Sequence, residues 1–164
     1  MSEIRVRAIG EGDTGWARGL LEAHLGSAAV AGHGELLRPL ELPGLVAELG
    51  VERVGLLTYR IDERGCEVVS IHSATEGVGA GSALIAAVTE EAVGAGCRRL
   101  WVMTTNDNLR ALRFYQRRGF RLAALRPGAV EEARRTLKPE IPEKGDDGIP
   151  IRDELDLEMD LDGH

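Results

Sequence analysis

A glycine-rich segment near the middle of the chain has the composition of a phosphate-binding turn. Gly77, Gly79 and Gly81 alternate with small residues, directly before a run with helical spacing that includes Leu84 and Val88. A helix N-terminus presents unsatisfied N–H groups and a positive dipole end, and glycines let an anion approach the backbone closely. The spacing matches neither GxGxxG nor GxxxxGK[ST]. The segment therefore predicts backbone binding of a phosphate group, with a plain tight turn as the alternative.

A second segment, residues 108–120, combines cationic and aromatic side chains at helical spacing. Arg110, Arg113 and Arg117 follow the i, i+3, i+7 pattern and share one stripe of a helix, whereas Ala111 and Tyr115 lie four residues apart on another side. The arginines either contact a phosphate or form a solvated helix face.

The charge distribution favours a small polyanionic ligand. The formal net charge of −7 consists of −7 over residues 1–97, +8 over residues 98–138 and −8 over residues 139–164. A basic middle between acidic ends argues against nucleic-acid binding, which needs a broader basic surface. The longest apolar run, residues 83–88, is far shorter than the roughly 18 residues of a membrane-spanning helix. We therefore predict neither a nucleic-acid partner nor a membrane partner.

Cysteine and histidine positions predict no metal site. Cys66 and Cys97 form no CxxC pair, and no HExxH or HxH cluster occurs among His24, His33, His72 and His164. The first residues alternate polar and apolar and lack the apolar core of a secretion signal. Two separate thiols suit a reducing compartment, so we expect a cytoplasmic protein.

Periodicity along the chain predicts one domain, residues 1–164, in which strands and helices alternate. Residues 26–42 are rich in Gly and Ala and predict an irregular stretch or a short helix. The last strand alternates apolar and mostly acidic residues, which is typical of an edge strand protected by charge; steering of a cationic acceptor is the alternative. The predicted strands are residues 4–8, 44–49, 54–61, 66–73, 100–103, 120–125 and 151–161. The predicted helices are residues 14–25, a helix that follows the glycine turn at 77–81 and ends at 94–96, and residues 109–118 and 129–138.

Together the two motifs resemble the GNAT superfamily of acyl-CoA-dependent N-acetyltransferases. Residues 76–81 are similar to its [Q/R]-x-x-G-x-[G/A] pyrophosphate loop, and residues 108–120 to its N-x-x-A-x-x-F-Y-x-x-x-G-F signature. Glu76 stands where Gln or Arg is usual, and we expect it to point away, because a carboxylate repels a pyrophosphate. The resemblance implies an α/β (α+β) three-layer sandwich with a mixed, mostly antiparallel sheet and helices on both faces.

The resemblance also implies acetyl-CoA as the cofactor and a set of residues around it. The pantetheine would bond to strand backbone at Ile71, His72 and Ser73. Asn108, Ala111 and Tyr115 would face the cofactor, with Tyr115 as the general acid toward the leaving thiolate. The pyrophosphate would lie against the glycine turn, formed by Gly77, Val78, Gly79, Ala80, Gly81 and Ser82.

Two side chains are candidates for a general base. Glu67 lies at a position similar to one where some family members carry a base; a surface carboxylate is the alternative. His72 has a suitable intrinsic pKa, with a structural histidine as the alternative. Because successive strand residues alternate, the sequence predicts that Glu67 and His72 point to opposite faces, so that at most one lines the site.

The predicted function is acetyl transfer from acetyl-CoA to a primary amine of a small molecule, by direct attack in a ternary complex. Acetylation of a protein N-terminus is one alternative. A non-catalytic acyl-CoA-binding module is another. The acidic last strand leaves a homodimer possible.

Overall fold

The computed structural model describes residues 3–162, so Met1, Ser2, Gly163 and His164 of the predicted domain lie outside it. Its strands are β1 (Ile4–Ala8), β2 (Val30–Gly32), β3 (Glu35–Leu37), β4 (Gly44–Leu49), β5 (Glu52–Asp62), β6 (Gly65–Ser73), β7 (Arg99–Thr105), β8 (Arg121–Arg126) and β9 (Glu154–Asp160). Its α-helices are α1 (Thr14–Leu25), α2 (Ala80–Gly94), α3 (Leu109–Arg117) and α4 (Ala129–Thr136). None of the helices within residues 3–162 is long and apolar enough to cross a bilayer.

The contacts divide the chain into two compact units. The first comprises the residues up to Val30, Arg38–Leu100 and the residues from Leu161; the second comprises Ala31–Leu37 and Trp101–Asp160. The fold is mixed α+β with a mostly antiparallel sheet, as predicted. The single domain stays a prediction.

The first unit is built on four antiparallel strands in the order β1-β4-β5-β6. Helix α1 buries Ala17 and Leu21 against Val46 and Leu56, and this apolar cluster fixes the helix on the sheet. Helix α2 approaches the sheet at Gly55, where a Cβ would lie 3.0 Å from Leu84 and 3.1 Å from Ala80. Glycine therefore allows this close approach, since a larger residue would require Leu84 or Ala80 to shift by a few tenths of an ångström.

A β-bulge in β6 changes which residues share a face. Thr58 pairs with Ser70 and Tyr59 with Val68, so Val69 is an extra residue between them. Directly opposed residues of antiparallel strands point to the same face, and Glu67 and His72 therefore lie on one face together with Ser70. The prediction that Glu67 and His72 point to opposite faces is wrong, because strict alternation holds only without a bulge.

The last strand is internal within the second unit. Strand β9 lies between β7 and β8, and its Glu154 and Asp156 are only 2% and 5% exposed. The predicted edge strand with solvated acids is therefore wrong. The edge is β8, and its Arg126 supplies the charge that lets both acids be buried.

The stretch predicted to be irregular or helical contains a β-hairpin instead. Strands β2 and β3 pair with each other, and a 3-10 helix follows at Pro39–Glu41. The hairpin turn uses His33 at φ 52° and Gly34 at φ 75°. Small residues give little hydrophobic periodicity, so the local sequence does not reveal this pairing.

Candidate active site

The turn before α2 leaves a helix N-terminus open. Gly77 and Gly79 have φ of 77° and 86°, a conformation that L side chains rarely adopt. Gly79 is the N-cap residue and offers no side chain to the first N–H groups, and the first turn contains no acidic residue. A Cβ built at Gly77 or Gly79 meets nothing within 4 Å. The turn therefore brings the N-terminal backbone of α2 to open space, as an anion site requires. Glu76, directly before it, is exposed.

The end of β6 is the accessible part of that strand. Residues from Gly65 to Ser70 are buried, whereas Ile71, His72 and Ser73 are half-buried. These three residues pair with Leu57, Leu56 and Gly55 of β5. The segment predicted to bond pantetheine thus combines regular extended backbone with partial access to solvent.

We call Glu67, Ser70 and His72 the β6 polar row, because the bulge places them on one face. Arg60 donates to Glu67 through Nη2 at 2.9 Å and through Nε at 3.2 Å. The hydroxyls of Ser70 and Thr58 lie 2.6 Å apart. Burial, together with nearby His24, lowers the pKa of His72 to about 4, so its imidazole is uncharged at neutral pH.

Asn108 begins α3 by capping it. Its side-chain oxygen accepts the backbone N–H of Ala111 at 3.1 Å, which satisfies one of the open donors of the first turn. The side chain predicted to face the cofactor therefore already has a structural role through its oxygen. Its amide nitrogen makes no hydrogen bond within residues 3–162.

Tyr115 lies in the aromatic part of α3. It is 5% exposed, and its ring meets Phe114 and Phe120 edge-on, with centroids 5.2 Å and 5.3 Å away. Burial raises the pKa of Tyr115 above its ordinary value, so the phenol keeps its proton at neutral pH. Its hydroxyl makes no hydrogen bond in the part of the chain that the structure describes. The phenol is thus protonated and available to an incoming group.

The arginines of α3 are exposed, as the cationic stripe predicts. Arg110, Arg113 and Arg117 are all on the surface. Arg118, in contrast, lies 3.7 Å above the Phe114 ring and donates to the Phe114 carbonyl, so it stabilises the helix end. The three stripe residues therefore lie on the solvent-exposed side of α3.

Sequence reasoning missed three groups of the first unit: Arg60, the Thr58 hydroxyl and the His24 ring. The turn at residues 62–65 fixes the register that pairs Arg60 with Glu67, so this contact could have been found from a hairpin assignment. The contacts of Thr58 and His24 depend on the bulge and on the packing of α1, for which the sequence carries no signal.

Comparison with known proteins assigns the class to which the fold and these motifs belong. A sequence model of the Acetyltransferase (GNAT) family matches residues 18–120. The chain belongs to this family, and the resemblance seen in the two motifs is confirmed.

Two similar proteins come from Bacillus subtilis (strain 168). The uncharacterized protein YdhI is 48% identical over 134 residues, which cover 80% of this chain and 82% of that protein. The uncharacterized protein YxbD is 47% identical over 108 residues, which cover 66% and 67%. Both similarities extend over most of the two chains.

Solved structures share the fold at lower identity. An IAA acetyltransferase from Bacillus cereus ATCC 14579 is 22% identical with a TM-score of 0.72, covering 96% of this chain and 99% of that one. A Bacillus subtilis acetyltransferase in complex with CoA is 19% identical with a TM-score of 0.69 and the same coverage. A GNAT family acetyltransferase from Elizabethkingia anophelis with acetyl-CoA bound is 20% identical with a TM-score of 0.66, covering 96% and 97%. The predicted fold is confirmed, and the latter two structures contain CoA or acetyl-CoA, the cofactor that the family resemblance implies.

Proposed function

We propose that this protein is an N-acetyltransferase that transfers an acetyl group from acetyl-CoA to a primary amine of a small molecule, by direct attack in a ternary complex. The observation that carries this proposal is the open N-terminus of α2, with left-handed Gly77 and Gly79 and unobstructed space beside both. Membership of the acetyltransferase family supports the reaction class.

The residues of the turn fit a pyrophosphate. Backbone N–H groups at the start of α2 would hold its oxygens, and the first turn of the helix contains no acidic residue that would repel them. Ile71, His72 and Ser73 would bond pantetheine through their backbone, and Asn108 and Ala111 would also face the cofactor. Acetyl-CoA supplies a thioester carbonyl that an uncharged amine attacks directly, with release of the CoA thiolate.

Tyr115 is our proposed general acid. Its phenol is protonated at neutral pH and its hydroxyl has no partner within residues 3–162. A thiol has an ordinary pKa of about 8.5 and a phenol about 10, so the thiolate gains a strong hydrogen bond before it gains the proton. We expect this bond to supply much of the effect of Tyr115.

Glu67 is our proposed catalytic carboxylate. Its two contacts from Arg60 favour the ionised form, which attracts a cationic amine. Releasing a proton at pH 7 costs about 4.6 kcal/mol for a lysine-like amine and about 1 kcal/mol for an α-amine. A base is therefore needed most for the first kind of acceptor. That Glu67 is this base stays a prediction, and His72 on the same face is the second candidate.

The location of the protein is also a proposal. Cys66 and Cys97 are both free thiols. Free thiols are stable where glutathione keeps proteins reduced, which supports the cytoplasm. A homodimer stays a prediction, and sedimentation would measure it.

The test combines binding with turnover. We expect acetyl-CoA to bind in calorimetry more tightly than ATP, and less tightly as salt increases. Gly79→Val should weaken this binding strongly, since it strains the φ of 86° and places a branched side chain beside the open donors. Gly12→Val, at an exposed position with nothing within 4 Å of its Cβ and no positive φ, is the matched control.

Tyr115→Phe separates an enzyme from a binding module. The enzyme should keep its acetyl-CoA affinity and lose about 10² to 10⁴ in the rate of thiol release. Full activity of Tyr115→Phe contradicts its role as the acid. Tight acetyl-CoA binding without turnover of any amine would indicate the non-catalytic module, and turnover of peptide N-termini alone would indicate the protein-directed enzyme.

A further inference from the structure

One loop of the second unit is held by side chains from two other elements of that unit. We call residues 141–152, which lie between α4 and β9, the 141–152 loop. Lys144 and Pro150 form an isolated antiparallel bridge across it, and the Ile151 N–H donates to the Glu143 carbonyl at 2.9 Å. The two halves of the loop therefore pair with each other.

Arg134 of α4 is the first anchor of the loop. Its guanidinium donates to the carbonyls of Ile141 at 2.9 Å, Pro142 at 2.7 Å and Ile151 at 2.9 Å. Ile141 and Ile151 lie near opposite ends of the loop, so one side chain joins both ends to α4. A guanidinium suits this position because it holds several N–H donors in one plane.

Asn106, directly after β7, is the second anchor. Its side-chain nitrogen donates to the Pro150 carbonyl at 2.9 Å. Its side-chain oxygen accepts the N–H groups of Arg152 at 2.9 Å and Asp153 at 3.0 Å, and its own N–H donates to the Asp153 carbonyl at 3.1 Å. Asn106 therefore fixes the end of the loop that leads into β9.

The loop also touches the turn from which α3 starts. A Cβ at Gly145 would overlap Oδ2 of Asp107 and lie 2.9 Å from its Cγ. Oδ1 of the same carboxylate accepts the Thr105 hydroxyl at 2.5 Å, and the Asp107 carbonyl accepts the Leu109 N–H at 2.9 Å. Asp107 is thus held between the loop and the first turn of the helix.

We infer that Arg134 and Asn106 are positioning residues for acetyl-CoA binding, because by holding the 141–152 loop they fix the turn before α3. The inference rests on the proposed function, in which Asn108 and Tyr115 face the cofactor from this helix. It gives a role to two residues that lie outside both sequence motifs.

Helix α3 depends on such support because it is short. It has nine residues, a length at which an isolated helix is only marginally stable in water. Towards its C-terminal end Tyr115 packs against Phe120, with ring centroids 5.3 Å apart. At its start Asn108 caps the first turn, and this residue directly follows the two that meet the loop, Asn106 and Asp107. A movement of the loop therefore displaces Asn108 first.

The experiment measures the Kd of acetyl-CoA by calorimetry, and the rate of CoA thiol release with the most active member of a primary-amine panel. Arg134→Met should raise the Kd about 10-fold and lower the rate by about 10 to 10², since a displacement near 1 Å can cost about 10². Asn106→Ala should act in the same direction. Arg134→Lys should recover part of both losses, because an ammonium also donates to carbonyls. Arg135→Met, at the adjacent and more exposed position of α4, is the matched control and should stay within about twofold of wild type.

A double-mutant cycle separates positioning from a general loss of stability. Asn108→Ala alone should weaken acetyl-CoA binding, because it removes both the cap and the proposed cofactor contact. Since Arg134 acts through Asn108, adding Arg134→Met should raise the Kd of Asn108→Ala by no more than about twofold. An arginine that serves stability alone would lower the unfolding temperature and leave the Kd of the folded protein unchanged.

Gly145→Ala tests the same path without removing an anchor. Its Cβ pushes against Asp107, so the Kd of acetyl-CoA should rise, and adding Asp107→Ala should bring it part of the way back. This pair replaces Arg134→Met if the latter fails to fold.

Three results would overturn the inference in a protein whose wild type binds acetyl-CoA. Folded Arg134→Met could bind acetyl-CoA within twofold of wild type, the losses of Arg134→Met and Asn108→Ala could be fully additive, or Gly145→Ala could leave the Kd unchanged. The Kd measurements need no turnover, so a wild type that binds acetyl-CoA but acetylates no amine refutes the proposed transfer alone. A wild type that does not bind acetyl-CoA refutes the proposed function, and the inference with it.

Discussion

Two polar clusters in this protein each combine an arginine, a carboxylate and a histidine, but they differ in how completely these side chains are hydrogen-bonded. Around Arg126 every charge is matched: the guanidinium donates to Glu154 at 2.9 Å and to Asp156 at 2.7 Å and 3.0 Å, and it lies 2.9 Å from the His33 ring. In the β6 polar row Glu67 is paired with Arg60, whereas His72 stacks on His24 and makes no hydrogen bond within residues 3–162. The cluster around Arg126 joins β8 to β9 through side-chain hydrogen bonds, whereas the ring nitrogens of His72 are not used in this way.

His33 illustrates the saturated state. Its backbone N–H donates to Glu154 at 3.2 Å and its Nε2 lies 3.0 Å from Asp156, while its own φ is 52°. Although burial opposes ionisation of Asp156, hydrogen bonds from Arg126 and the nearby His33 hold the pKa of that carboxyl below its ordinary value. His33 adopts an uncommon backbone conformation, and its contacts with Glu154 and Asp156 stabilise that conformation. This pattern indicates a structural role for the cluster.

Removing Arg126 should have the largest effect on stability. Arg126→Met leaves Glu154 and Asp156 buried without their cation, and breaking a buried ion pair in this way costs about 3 to 5 kcal/mol. Urea denaturation measures the loss. Arg121→Met, at an exposed position of the same strand, is the control and should stay within about 0.5 kcal/mol. A small effect of Arg126→Met would mean that the two clusters do not differ as described.

Lowering the pH should have the second-largest effect on stability, through protonation of His72. The folded-state pKa of His72, about 4, lies below the ordinary value near 6.5, so the unfolded chain binds more protons between these pH values. Stability should therefore fall as the pH drops from about 6.5 to about 4, by at most about 3 kcal/mol from this residue. His72→Gln should remove that part of the pH dependence. Parallel curves for wild type and His72→Gln would show that His72 is not held neutral by the fold.

The hydroxyl pair of Ser70 and Thr58, between Glu67 and His72 in the β6 polar row, should have the smallest effect on stability. Ser70→Ala leaves the Thr58 hydroxyl buried without its 2.6 Å partner, which costs about 1 to 2 kcal/mol. Adding Thr58→Val should recover part of this loss, because both polar groups are then absent. Thermal unfolding of the two single variants and the double variant measures the coupling, and strictly additive losses would contradict it.

The elements that carry the proposed chemistry could be predicted because their signals are local. Glycines at residues 77–81 and Asn108 mark helix starts through backbone freedom and capping, and the structure places α2 and α3 directly after them. The strands of the first unit follow from alternation and turn residues. The proposed roles of Tyr115 and Glu67 follow from the family resemblance. The contacts of these two side chains with Phe114, Phe120 and Arg60 could not be predicted in that way.

The features that escaped prediction depend on non-local contacts. One extra residue, Val69, reverses the face of every later residue in β6, and no side-chain type signals it. The acids of β9 alternate as they would on a solvated edge, and only their pairing with Arg126 explains burial. The hairpin at residues 30–37 lacks the alternating hydrophobic pattern from which strands are predicted.

The most direct test of the account is release of CoA thiol from acetyl-CoA by the wild-type protein, followed with a panel of primary small-molecule amines, with mass spectrometry of the products. The account predicts amine-dependent release that yields an N-acetyl product and depends on Tyr115. Binding of acetyl-CoA without an acetylated product from any amine, or an acetyl group found only on oxygen, would contradict the proposed N-acetyltransferase.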